Sequence, residues 1–116
     1  MIDSDPVKIA VIGLGIIGPR HADAVLSNKN TQLLCLVGPN PNPKVLERFD
    51  VPWYPDVTAM LSSADIPDAA IVCTPNHTHV PISKQLLSAG IHVLCEKPIS
   101  DSVESGLDLV SLTCYT

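Results

Sequence analysis

Aromatic residues and basic clusters are both scarce in this chain of 116 residues. Its aromatic side chains are one Trp, one Phe and two Tyr, which are too few for the stacking platforms that bind single-stranded nucleic acids. The formal net charge is −5, and no stretch concentrates Lys or Arg. The sequence therefore predicts no nucleic-acid partner.

Long apolar runs are missing as well. The longest one, residues 9–17, contains two glycines and is too short to cross a bilayer. The acidic start, residues 1–6, has neither the basic nor the apolar region of a secretory signal. With 46% hydrophobic and 16% charged residues, the composition indicates one folded domain over residues 1–116. We expect a cytoplasmic protein without a membrane partner.

Neither the cysteines nor the histidines form a recognisable metal-binding pattern. The cysteines are far apart in sequence and form no C-x-x-C motif, and three of them lie in apolar runs, where a reduced thiol packs as a small hydrophobic group. His77 and His79 have the spacing H-x-H, but no third ligand accompanies them. The sequence predicts structural thiols and no metal site. The four cysteines are Cys35, Cys73, Cys95 and Cys114.

Apolar runs typical of strands buried on both faces alternate with helical patterns along the chain. We predict strands at residues 7–12, 33–37, 69–73 and 91–95, with a minimal strand within 52–55. We predict helices at residues 16–26, 43–49, 56–62 and 79–89, and a last helix from Asp101. Asp56 is the expected N-cap of the third helix, and Gly90 the expected stop of the fourth. The fold class is then α/β, a doubly wound parallel (Rossmann) sheet, and we expect it to be truncated before its sixth strand.

A glycine-rich loop, Gly13-Leu14-Gly15-Ile16-Ile17-Gly18, connects the first strand to the first helix. In the pattern G-x-G-x-x-G, the first glycine allows a tight turn, the second lets a pyrophosphate approach the backbone, and the third allows close helix packing. The loop, including Ile16 and Ile17, is the predicted binding site for a dinucleotide pyrophosphate at a helix N-terminus.

The position that usually distinguishes NAD from NADP carries no carboxylate here. An acidic residue is expected about 20 residues after the loop, at the end of the second strand, to bind the ribose 2′-hydroxyl. This chain has Gly38 there, and Asn40 follows as a possible donor. The nearest cations are Lys44 and Arg48. The cofactor is NAD or NADP, and the sequence favours NADP slightly.

Two further motifs follow the fourth and fifth strands, at the carboxyl ends where ligands bind in open α/β sheets. The first comprises Thr74, Pro75, Asn76 and His79. The second is Glu96-Lys97-Pro98, in which an ammonium group near the cofactor can polarise a carbonyl or move a proton.

Together the motifs G-L-G-I-I-G-P-R-H, V-P-W-Y, C-T-P-N-H-T-H and C-E-K-P-I resemble, in this order, the Gfo/Idh/MocA oxidoreductases, the group of glucose-fructose oxidoreductase and inositol dehydrogenase. The resemblance covers residues 7 to about 112. It implies that Glu96 and Lys97 lie beside the nicotinamide and that Lys97 contacts substrate, which makes Lys97 the catalytic candidate. It also implies a second domain with a catalytic histidine, which this chain does not contain. The residues it places along the cofactor are Gly13, Gly15, Gly18, Thr74, Pro75, Asn76 and His79.

The function expected from these motifs is hydride transfer between a nicotinamide and a sugar, polyol or related hydroxy compound. This chain alone should be inactive, because its substrate contacts are missing, although the resemblance makes the complete protein an enzyme. The alternative is a non-catalytic dinucleotide-binding or regulatory protein, which the glycine at position 38 favours and the Glu96-Lys97-Pro98 tripeptide opposes. A methyltransferase also has a glycine loop after its first strand, but it leaves the tripeptide unexplained.

Overall fold

The chain folds around a five-stranded parallel sheet. This computed structural model describes residues 5–96 together with Glu104 and Leu107. The strands lie in the order β3-β2-β1-β4-β5, and all four neighbouring pairs are parallel. The winding reverses between β3 and β4, so the switch point lies at the carboxyl ends of β1 and β4. The strands are β1 Val7–Ile12, β2 Thr31–Val37, β3 Trp53–Tyr54, β4 Ala69–Val72 and β5 His92–Cys95.

Helices cover both faces of the sheet, as the alternating pattern predicts. They are α1 Gly18–Ser27, α2 Pro43–Phe49, α3 Val57–Leu61 and α4 His79–Ser88. Helices α1 and α2 pack on one face, where a buried cluster joins Val25 and Phe49 to Val11 of β1. Helices α3 and α4 pack on the other face, where Met60 and Leu86 meet Ile12. The doubly wound α/β fold is confirmed.

Local side-chain chemistry fixes the helix ends. The Asp56 carboxylate accepts a hydrogen bond from the Ala59 N–H at 2.7 Å, which confirms the predicted N-cap of α3. Helix α2 has the predicted bounds, residues 43–49. Gly90 follows the end of α4 with φ of +80°, a left-handed conformation that glycine adopts most easily.

Several predicted boundaries differ from the observed ones. Helix α1 begins at Gly18 and not at residue 16, because residues 15–17 form bends and Pro19 occupies the first turn. Strand β2 begins at Thr31, two residues before the predicted start, since its polar first residues pair with the exposed amino end of β1. Strands β4 and β5 are each one residue shorter than predicted.

The predicted helix from Asp101 lies almost entirely outside the described residues. Glu104 and Leu107, the two residues described in this part of the chain, are helical. No sixth strand occurs among residues 5–96. None of the helices in the described part of the chain is long and apolar enough to span a membrane.

Candidate functional site

The first glycine of the loop lets two strand ends approach each other. Gly13 follows β1 with φ of +107°, and its N–H donates to the Val37 carbonyl of β2 at 2.8 Å. A Cβ atom at Gly13 would lie 2.7 Å from the carbonyl oxygen of Cys73, just after β4. A side chain there would therefore push β1 and β4 apart at the switch point.

The other two glycines of the motif have different surroundings. A Cβ atom at Gly18 would collide with the carbonyl oxygen of Gly13, so Gly18 lets α1 pack against the end of β1. A Cβ atom at Gly15 would meet nothing within 4 Å. The fold itself does not require a glycine at position 15, and the free space beside it faces the cleft described next.

This cleft has a volume of about 500 Å³ and opens at the carboxyl ends of β1 and β4. The N–H groups of Gly15, Ile16 and Ile17 form no backbone hydrogen bond with any residue of the described range. Ile16 is 84% exposed, although its side chain is apolar. A bound dinucleotide would accept hydrogen bonds from these N–H groups and would cover the apolar side chain. The cleft is lined by Gly13, Leu14, Gly15, Ile16, Ile17, Pro39, Asn40, Cys73, Thr74 and Pro75.

The loop after β4 forms one wall of the cleft through Thr74 and Pro75. Its conformation is held from below, because a ring nitrogen of His79 lies 2.8 Å from the Thr74 carbonyl oxygen. His79 is only 1% exposed and is not among the residues that line the cleft, so its contact with Thr74 supports the wall of the cleft from the protein interior. Asn76 is exposed at the start of a short 3₁₀ turn and is not among the lining residues.

At the end of β5, Glu96 is fixed by two hydrogen bonds. Its N–H donates to the Val72 carbonyl at 2.9 Å, and its carboxylate lies 2.8 Å from Nε2 of His21 in α1. Sequence reasoning assigned no role to His21, although the residue belongs to the motif G-P-R-H. Lys97, the predicted catalytic residue, lies outside the described residues.

The end of β2 is held by the next strand. The Gly38 N–H donates to the Tyr54 carbonyl at 3.0 Å, and the Trp53 indole N–H donates to the Gly38 carbonyl at 2.8 Å. Asn40 lines the cleft, in a left-handed conformation with φ of +49°. Arg48, one of the two predicted cations, pairs with Asp23 of α1 at 2.5 Å and is therefore engaged elsewhere.

The thiols near the site have the character expected of structural cysteines. Burial, together with the nearby Glu96 carboxylate, raises the pKa of Cys73 to about 11, and the thiol lies 3.3 Å from the Ile12 carbonyl oxygen. Burial raises the pKa of Cys95 as well. Within the described ranges, no three His, Cys, Asp or Glu side chains lie together in a way that could hold a metal ion.

Known proteins with similar sequences are enzymes of sugar and polyol chemistry. The inositol 2-dehydrogenase of Rhizobium meliloti is 33% identical over 92% of this chain and 33% of its own length. The 2,7-anhydro-N-acetylneuraminate hydratase of Mediterraneibacter gnavus is 27% identical over 93% of this chain and 28% of its own. This chain thus spans about a third of the length of the curated relatives it matches.

Among solved structures, GenD2 from gentamicin A biosynthesis, in complex with NAD, superposes with a TM-score of 0.86 at 25% identity, over 97% of this chain and 32% of its own. Residues 7–113 match the family described as oxidoreductases with an NAD-binding Rossmann fold. A match of this extent, together with the glycine loop and the doubly wound sheet, identifies the chain as a member of the Gfo/Idh/MocA oxidoreductase family.

Proposed function

We propose that this chain binds a nicotinamide dinucleotide, with the pyrophosphate over the glycine loop, as part of a sugar or polyol dehydrogenase. The observation that carries the proposal is the space at Gly15, where a Cβ atom would meet nothing within 4 Å and the loop lines a cleft of about 500 Å³. The N–H groups of Ile16 and Ile17, which form no backbone hydrogen bond within the described residues, are suitable donors to phosphate oxygens.

The order of the strands supports one direction for the proposed cofactor. Strands β2 and β3 lie on one side of the glycine loop, and β4 and β5 lie on the other. In doubly wound folds the adenosine half lies towards the first βαβ unit. The nicotinamide would therefore lie towards Thr74, Pro75 and Glu96.

A bound nicotinamide would supply the hydride acceptor or donor for a substrate carbon. The protein would contribute position and charge. Thr74 and Pro75 would form the wall of the nicotinamide side, and the hydrogen bond from His21 would orient the Glu96 carboxylate. Lys97, the next residue, is our candidate for contacting the substrate and polarising its reacting oxygen.

The reaction of the complete protein is a separate part of the proposal. The inositol dehydrogenase and the NAD complex of GenD2 favour dehydrogenation of a hydroxy compound. The similarity to a hydratase favours a second candidate reaction, hydration, which involves no net oxidation of the substrate. We expect the present chain to bind the cofactor and, without further residues, to turn over neither class of substrate.

Calorimetric titration of the chain with NADH and NADPH tests the proposal. Because Gly15 has open space and no positive φ, Gly15→Ala and Gly15→Val should fold normally while filling the cleft progressively. We expect Gly15→Val to weaken binding at least about 10-fold, with the alanine variant in between. Thermal melts of all three proteins control for folding. A folded chain that binds neither nucleotide, or equal affinity in all three proteins, would contradict the proposal.

A further inference from the structure

A second cleft, of about 210 Å³, adjoins the glycine-loop cleft, and Pro39 and Thr74 line both. It lies at the carboxyl ends of β1 and β2, beneath α3 and α4. These two helices are connected across it, because the Gln85 amide donates to the Thr58 hydroxyl at 2.9 Å. The other lining residues are Ile12, Val37, Gly38, Pro55, Asp56, Val57 and Ile82. On the proposed direction of the cofactor, this cleft faces the adenosine.

The second cleft contains a single acidic side chain. Among the described residues that line the two clefts, Asp56 of the second cleft is the only Asp, Glu, Lys, Arg or His. One oxygen of its carboxylate caps α3 by accepting from Ala59. The other oxygen forms no hydrogen bond within the described part of the chain, so it is available to a ligand.

The two cations that the sequence offers for a phosphate do not line either cleft. Arg48 pairs with Asp23 through two hydrogen bonds of 2.5 and 2.6 Å. Lys44 is exposed in the first turn of α2. A 2′-phosphate carries a charge of about −1.5 to −2 at neutral pH, and it would find a carboxylate and no lining cation.

We infer that Asp56 makes this chain select NAD over NADP, an inference that rests on the proposed function. Rossmann domains usually place the selecting carboxylate at the end of their second strand. Here that position is Gly38, and the carboxylate comes instead from the next strand–helix connection, into the cleft that Gly38 also lines. Its free oxygen can accept from a ribose hydroxyl and repels a 2′-phosphate. This inference opposes the slight preference for NADP expected from the sequence.

The test uses two probes that lack nicotinamide, ADP-ribose and 2′-phospho-ADP-ribose, so that it does not depend on Lys97. Affinities of the full chain for both are measured by calorimetry. Asp56→Asn removes the charge and keeps a side chain that caps helices well. Glu47→Gln is the control, because Glu47 is exposed on α2 and lines neither cleft.

We expect the unsubstituted chain to bind ADP-ribose more tightly than its 2′-phosphorylated analogue. Asp56→Asn should shift the ratio of the two affinities about 10-fold towards the analogue, and Glu47→Gln should shift it less than about 2-fold. If ADP-ribose binds and Asp56→Asn leaves the ratio unchanged, the role of Asp56 is refuted and the proposed function stands. If neither probe nor NADH binds to the folded chain, the role of Asp56 and the proposed function are both refuted.

Discussion

Nε2 of His21 lies 2.8 Å from a carboxylate oxygen of Glu96, across 75 positions of sequence. The contact joins α1, which follows the glycine loop, to the end of β5, which precedes Lys97. Both side chains are partly exposed, with 24% of the His21 side chain and 39% of the Glu96 side chain accessible. The two motifs that the sequence places at opposite ends of the chain are thus connected directly.

Breaking this contact should cost little stability. We expect His21→Ala and Glu96→Ala each to lower the free energy of unfolding by about 0.5–1 kcal/mol, because solvent weakens partly exposed pairs. The double variant should lose less than the sum of the two. Denaturant unfolding of the four proteins measures the coupling, and strictly additive losses would show that the contact contributes nothing.

The glycines of the loop should differ in their sensitivity to alanine. We expect Gly18→Ala to destabilise the fold by about 1–3 kcal/mol, because the new Cβ atom would collide with the Gly13 carbonyl oxygen. Gly15→Ala should leave stability within about 1 kcal/mol or raise it, since its Cβ atom meets open space. Thermal melts of the pair measure the difference, and equal losses would contradict the assigned surroundings.

A carboxylate introduced at the end of β2 should take over the selection of NAD that we assign to Asp56. Gly38 has φ of +159°, a value at which an L side chain is strained. A Cβ atom there would lie 3.4 Å from Cγ of Leu14, so Gly38→Asp should cost some stability, which thermal melts measure. We expect Gly38→Asp to favour NADH over NADPH. In the Asp56→Asn background, it should restore about 10-fold discrimination. Calorimetry with both nucleotides reads this rescue, and an unchanged ratio in both backgrounds would remove position 38 from the recognition of the ribose.

The thiols of the buried Cys35 and the partly buried Cys73 should react slowly in the folded chain. Burial, with a smaller contribution from Asp65, raises the pKa of Cys35 from 9.0 to about 12, and that of Cys73 rises to about 11. At pH 8 the reactive thiolate is then about 1000-fold and 100-fold scarcer than in the unfolded chain. Mass spectrometry of peptides after iodoacetamide treatment, in buffer and in denaturant, measures both rates. Similar rates in the two conditions would contradict the burial.

The same shifts set a direction for stability at high pH. The folded state holds the proton of Cys35 more tightly than the unfolded state does. The protonated Cys35 thiol therefore contributes fully to stability below pH 9, and this contribution declines as the pH rises towards 12. The denaturant midpoint should therefore be lower at pH 10.5 than at pH 8. In Cys35→Ala, the decrease over the same interval should be smaller.

Local patterns predicted most of the architecture. Continuous apolar runs located the strands, and the capping chemistry of Asp56 and the stop at Gly90 depend on neighbours within a few residues. Contacts between distant segments could not be predicted from the sequence. The burial of His79 beneath Thr74 depends on how α4 packs under the loop, and the contact of His21 with Glu96 depends on the order of the strands.

The role of Asp56 illustrates the same limit. In the sequence it is a helix cap, and that reading is correct. The second role that we propose for it depends on the position of α3 beside the end of β2, where Gly38 and Asp56 line one cleft. A search of the sequence at the usual position of the selecting carboxylate finds only the glycine, and it therefore favours NADP slightly, whereas our proposal favours NAD.

The hydrogen bond from Trp53 to the Gly38 carbonyl gives the chain an optical reporter. Trp53 is the one tryptophan of the chain, and its indole N–H donates to Gly38, which lines the second cleft. Tryptophan emission overlaps the absorption of reduced nicotinamide, so a bound cofactor would quench it by energy transfer. Occupancy of the site can then be followed by the intrinsic fluorescence of the unlabelled protein.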